Sequence, residues 1–122
     1  MTDREMLELA AKAAGLDDAR WVEAFSATGI WSQKRFVATR NGYWNPLEKD
    51  GDAFRLMVEL KLDSHFEEQE RLGDEFEVIE IFGPRRDDGS QHCEAHELGD
   101  DPLAATRRAI VMAAAEIGRQ MD

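Results

Sequence analysis

The chain has a single cysteine, Cys93, so no internal disulfide can staple it, and one free thiol fits a reducing cytoplasm. Proline is scarce, with three residues, and no apolar run approaches the roughly 18 residues of a membrane-spanning helix. The polar start Met1-Thr2-Asp3-Arg4-Glu5 lacks the basic-then-apolar layout of a signal peptide. These absences predict a soluble cytoplasmic protein with no membrane contact. No phosphate-cradling glycine loop, nucleophile elbow, paired CxxC or zinc-ribbon spacing occurs. Any enzyme built on this chain needs an atypical site. What remains is 122 residues with 43% hydrophobic content, enough for one domain over 1–122 with its own core.

Positive charge is also in deficit. Fifteen Lys and Arg face 26 Asp and Glu, for a net charge of -11, which argues against direct nucleic-acid binding because that rests on neutralising phosphates. The excess is local: Asp63 to Asp101 holds 14 acidic and three basic residues, and the rest holds 12 of each. A solvated hairpin region explains this through solubility and protection of strand edges. The sharper reading is an acidic face, Glu67, Glu68 and Glu70 foremost, that docks an unidentified basic protein partner.

The periodicities predict alternating helices and strands. Thr2 and Glu5 form a capping box for a first helix that carries Met6, Leu7, Leu9, Ala10, Ala13 and Ala14 and stops at Gly15. Trp21-Val22, Gly29-Ile30-Trp31 and Arg35-Phe36-Val37-Ala38 read as one or two strands, and residues 41–47 as a loop bearing Tyr43 and Trp44. A second helix starts near Asp50 or Asp52, either able to cap it, and ends near Leu62; a strand is expected around Leu62 to Glu68. Phe76 to Phe82 is the clearest strand, apolar on both faces and hence expected inside a sheet covered on both sides. Gln91 to Glu97 returns as its partner after an Asp88-Gly89 turn. Asp101 and Pro102 open a last helix through Ile110 and Ile117. The predicted class is α+β, a three-layer α/β/α sandwich of three helices on a small, mostly antiparallel sheet.

Few clusters carry chemistry. His92, Glu94 and His96 share a strand face, and adjacent members, about 6.6 Å apart along the strand, could share a metal ion with help from His65. His92 and His96 stand about 13 Å apart, however, so the plainer expectation is a solvent-facing polar stripe with Cys93 packed inward as a small hydrophobe. Anionic neighbours Glu94 and Glu97 oppose a Cys93 thiolate. Trp31, Tyr43 and Trp44 could form a recognition patch or close the rim of the core. Arg107-Arg108 could receive an anionic ligand, but bridging to Asp100, Asp101 or the acidic hairpin is the simpler use.

Three stretches together resemble a known family. They are Met1 to Gly15, Trp44-Asn45-Pro46-Leu47 with Gly51-Asp52-Ala53-Phe54-Arg55-Leu56, and Asp101-Pro102-Leu103-Ala104-Ala105-Thr106-Arg107-Arg108-Ala109-Ile110-Val111. They resemble the phage ABA sandwich domain family, small proteins of bacteriophages and prophages. The resemblance implies an α/β/α sandwich, in the cytoplasm of a bacterial host, and brings with it no assigned activity, catalytic residue or cofactor. The expected function is therefore a non-enzymatic phage or prophage accessory protein working through protein contacts at Tyr43, Trp44, Glu67, Glu68 and Glu70. Two alternatives are a metal-binding protein or metal-dependent enzyme using His92, Glu94 and His96, and an acidic DNA-mimic decoy.

Overall fold

The computed structural model describes residues 1–16, 19–25, 32–39 and 42–121, with residues 20, 22–25, 32–39, 42 and 43 described by backbone alone. The chain is an α+β domain of three helices and antiparallel strands, in the order α1 (Asp3–Ala13), β1 (Arg20–Phe25), β2 (Ser32–Thr39), β3 (Gly42–Trp44), α2 (Asp50–Glu59), β4 (Asp63–Arg71), β5 (Asp74–Phe82), β6 (Cys93–Glu97) and α3 (Pro102–Gln120). The strands form two three-stranded sheets, β1-β2-β3 and β4-β5-β6, where a single sheet was expected. Within each, consecutive strands pair antiparallel, so each sheet is a local meander.

Helix α1 forms where the capping box predicts: the Glu5 amide donates to Thr2 Oγ1 at 3.1 Å and the Thr2 amide donates back to Glu5 Oε2 at 3.3 Å. It ends in a Schellman turn, in which Gly15 takes a positive φ of 74° and the amides of Gly15 and Leu16 donate to the carbonyls of Lys12 and Ala11. Its buried residues Met6, Leu7, Ala10 and Ala11 pack on α3, whose Ala109, Ile110, Val111, Ala113, Ala114 and Ala115 are likewise buried. Small side chains let the two helices approach closely. A Cβ at Gly118 would overlap the backbone carbonyl of Leu9. Helix α1 also touches β1 and β2, and α3 touches α2, β5 and β6. One core therefore joins Leu56 of α2, Leu62, and Ile79 and Ile81 of β5 to the α1–α3 pair.

Helix α2 has no side-chain cap. Lys49 occupies the cap position, and Asp50 is the first helical residue. Asp52 serves the preceding loop instead: its Oδ2 accepts the Asn45 amide at 2.9 Å, both residues being buried. Asn45 Oδ1 in turn accepts the Leu47 amide, and its carbonyl accepts the amides of Glu48 and Lys49. Buried polar groups are tolerated because they are paired in this way. Arg107 of α3 completes the clasp, donating from Nε to the Leu47 carbonyl at 2.9 Å and from Nη1 to Asp50 at 2.7 Å. Arg108 pairs with Asp3 at 3.2 Å. The three stretches that carry the family resemblance are thus bonded to one another. The expected partners of this arginine pair, Asp100, Asp101 and the acidic hairpin, are replaced by Asp50 and Asp3, because the helical turn aims both guanidiniums back across α1 and the loop before α2.

Candidate functional site

The hairpin β4–β5 is nine residues per strand, and Arg71 pairs with Asp74 across a two-residue turn of Leu72 and Gly73. Directly opposed residues share a face. One face holds Ser64, Phe66, Glu68 and Glu70 on β4 against Ile81, Ile79, Glu77 and Glu75 on β5. The opposite face holds His65, Glu67 and Gln69 against Glu80, Val78 and Phe76. The acidic trio named from the sequence is therefore split: Glu68 and Glu70 lie on the face that packs on α3, and Glu67 lies on the other. Every residue of β4 is exposed, and within this sheet α3 packs chiefly on β5 and β6.

On the α3 side, Glu68 stands opposite Glu77 and Glu70 opposite Glu75, two like-charge pairs. None of the four side chains has a hydrogen-bond or ion-pair partner among the described residues. Beside them an open groove of about 620 Å³ wraps the edge of the hairpin, lined by Glu68, Glu75 and Glu77 of this face, by Phe76 and Glu97 of the opposite one, and by Leu98, Asp100 and Pro102. Glu97 pairs with Arg71, whose guanidinium also lies 4.7 Å from the Phe76 ring centroid. Glu75 and Glu77 were not singled out from the sequence, and Glu97 and Asp100 were named there only as neighbours of Cys93 and as partners for the arginine pair. The signal that finds them is the hairpin register, which is set by the turn.

Strand β6 faces the opposite way to the expected one. Its register puts His96 beside Ile79 and Glu94 beside Ile81, so His92, Glu94 and His96 form the half-buried inner face and Cys93 is exposed. The correction has a plain cause. The apolar pair Ile79 and Ile81 must lie under α3, and β6 follows the parity of its partner. Glu94 is shared by both imidazoles, His92 Nε2 at 2.8 Å from Oε1 and His96 Nε2 at 3.4 Å from Oε2. His65 opposes Glu80 on the far face, so it does not converge with the other two histidines. Among the described residues no group of three or more His, Cys, Asp or Glu is arranged to hold a metal ion.

Partial desolvation pushes the Cys93 thiol up, and the charges of Glu80 and Glu94 push it further, so the sulfur is a poor nucleophile despite its exposure. Glu80 is itself held above the ordinary carboxylate range, first by its hydrogen bond to Glu67 and then by desolvation. Glu116 of α3 shows the reverse balance: burial raises it, but Gln120, Arg119 and His92 together hold it below its ordinary value.

Of the aromatic candidates, Trp44 is half-buried and packs against the core, closing its rim. It belongs to β3, since the strand Gly42–Trp44 occupies part of what was expected to be loop. Trp31 and the Tyr43 side chain lie outside the described residues. Comparison with family models, with curated proteins and with solved structures finds no match to this chain. Among the described residues no helix is long and apolar enough to cross a membrane.

Proposed function

We propose that this chain is a non-enzymatic accessory protein of the bacteriophage or prophage kind its three stretches resemble, and that it acts by docking a basic protein segment on the acidic end of the β4–β5 hairpin. The observation that supports this reading is the two pairs of opposed carboxylates, Glu68 with Glu77 and Glu70 with Glu75, beside a groove that Phe76, Leu98 and Pro102 also line. Like charges directly opposite each other destabilise a sheet. A lysine- or arginine-bearing segment would relieve that repulsion while its aliphatic stems cover Phe76, Leu98 and Pro102. Binding of this kind is fast and salt-sensitive.

The split of the acidic trio supplies the test. Affinity capture from a bacterial host lysate is compared for wild type, for Glu68→Lys/Glu70→Lys on the groove side, and for Glu67→Lys on the opposite face. The expected result is a partner retained by Glu67→Lys, lost by the double variant, and eluted by raising salt toward about 0.5 M, where the screening length falls to a few ångströms. Identical partner lists from all three proteins overturn the reading.

A further inference from the structure

Of the three basic residues between Asp63 and Asp101, Arg71 is engaged with Glu97 and Phe76, which leaves Arg85 and Arg86 side by side in the β5–β6 connection. Both line a cleft of about 260 Å³ between that connection and the last turns of α3, with His92 beside them and Pro84, Ile117 and Met121 supplying apolar surface. Arg85 has no hydrogen-bond or ion-pair partner among the described residues. The Arg86 backbone bonds Ser90 and Gly89, but its side chain makes only a long contact, 3.5 Å from Nη1 to Ser90 Oγ, besides sitting near Asp88.

Of the acidic side chains nearby, Glu116 and Asp88 are already occupied, while Asp87, next in sequence to Arg86, has no side-chain partner among the described residues and does not line the cleft. Glu116, the one carboxylate lining the cleft among the described residues, accepts from Gln120 Nε2 at 2.9 Å and pairs with Arg119. Asp88 accepts the Ser90 amide at 2.8 Å. His92 keeps its Nε2 on Glu94. The walls are also pinned: the Gly83 amide donates to the His92 carbonyl, Gln91 Nε2 donates to the Gly83 carbonyl at 2.8 Å, and Lys12 Nζ donates to the Met121 carbonyl at 2.8 Å. A guanidinium pair over a small apolar cleft matches one ligand chemistry.

We infer that this cleft binds a small oxyanion, a phosphate or carboxylate, carried on an apolar group. The anion meets Arg85 and Arg86, and the apolar group rests on Pro84, Ile117 and Met121. The inference is independent of the acidic groove, which lies at the other end of β5.

Amide-resolved NMR titration of the full chain tests it, with phenyl phosphate, phenylacetate and inorganic phosphate as probes. Phenyl phosphate or phenylacetate should bind with Kd of about 1 mM or tighter, moving signals of residues 83–92 and 116–121, and the tighter of the two identifies the anion. Arg85→Ala/Arg86→Ala, in an exposed connection, should weaken that binding at least tenfold. Arg4→Ala/Arg55→Ala, which lowers the net charge equally at distant sites, should leave it unchanged. Equal weakening in both double variants, inorganic phosphate binding as tightly as the aryl probes, or no saturable shift by about 10 mM each overturns the inference.

Discussion

Gly118 is glycine because its side-chain space is taken: the Leu9 carbonyl of α1 lies where a Cβ would stand. Gly118→Ala should gain about 1 kcal/mol of helix propensity and lose more, about 3 kcal/mol, by forcing α1 and α3 apart. Urea unfolding should therefore show a net loss of about 2 kcal/mol. The Glu67–Glu80 contact works in the other direction. Glu80 titrates above its unfolded value, so the native state binds more protons than the unfolded chain, and stability falls as pH rises through that window. Glu67→Gln replaces a repelling carboxylate by an amide donor. Its melting temperature should exceed that of wild type at about pH 7, with the gap closing as pH falls toward about 4, the ordinary carboxylate range. A gap independent of pH would contradict the assignment. Neither residue-scale feature was legible in the sequence: Gly118 sits inside a helical pattern, and Glu67 meets Glu80 only through the hairpin register.

At the scale of elements, legibility followed the capping chemistry. Thr2, Glu5 and Gly15 announced both ends of α1, and Asp101 with Pro102 announced the start of α3, where the Asp101 carboxylate accepts the Ala104 amide at 3.0 Å. The end of α2 and the start of β5 were harder to place because ordinary residues take glycine-like conformations there. Lys61 closes α2 at φ 54° with the Leu62 amide on the Met57 carbonyl, a Schellman turn without glycine at its key position. Leu72 holds φ 52° and Gly73 φ 87°, the two positive values that a type I′ hairpin turn requires. Leucine in that conformation is strained by roughly 1 kcal/mol or more, and Leu72 is fully exposed at 100%, so nothing is recovered by burial. Leu72→Asn should stabilise the hairpin by about 0.5–1 kcal/mol, read as an upward shift in the urea midpoint. The faces of β6 were misassigned for a related reason. Period-two alternation separates Cys93 from His92 and Glu94 but does not say which set points inward. That choice belongs to Ile79 and Ile81.

For the molecule as a whole, the α+β class, the three helices and the antiparallel pairing were readable from periodicity alone, because each amphipathic stripe had to find a partner. The division of the strands into two meanders was not, since sheet membership depends on how β3 and β4 sit on either side of α2. The acidic region was visible in composition, but its assembly into a groove with Phe76, Leu98 and Pro102 needed the fold. The clasp by Arg107 and Arg108 ties the stretches carrying the resemblance together: the last donates to both of the others.

That clasp and the helix pair beneath it also dictate an order of events. Asp3 meets Arg108 across 105 positions of sequence. At a ribosomal pace of about 10 residues per second, α1 waits roughly 10 s for α3 to emerge. During that interval Met6 and Leu7 lack the α3 face on which they pack and have only β1 and β2 within reach, while each meander can close from neighbouring strands alone. A nascent chain of this protein thus exposes an oily N-terminal stripe to chaperones, and burial of that stripe is among the last steps of its maturation.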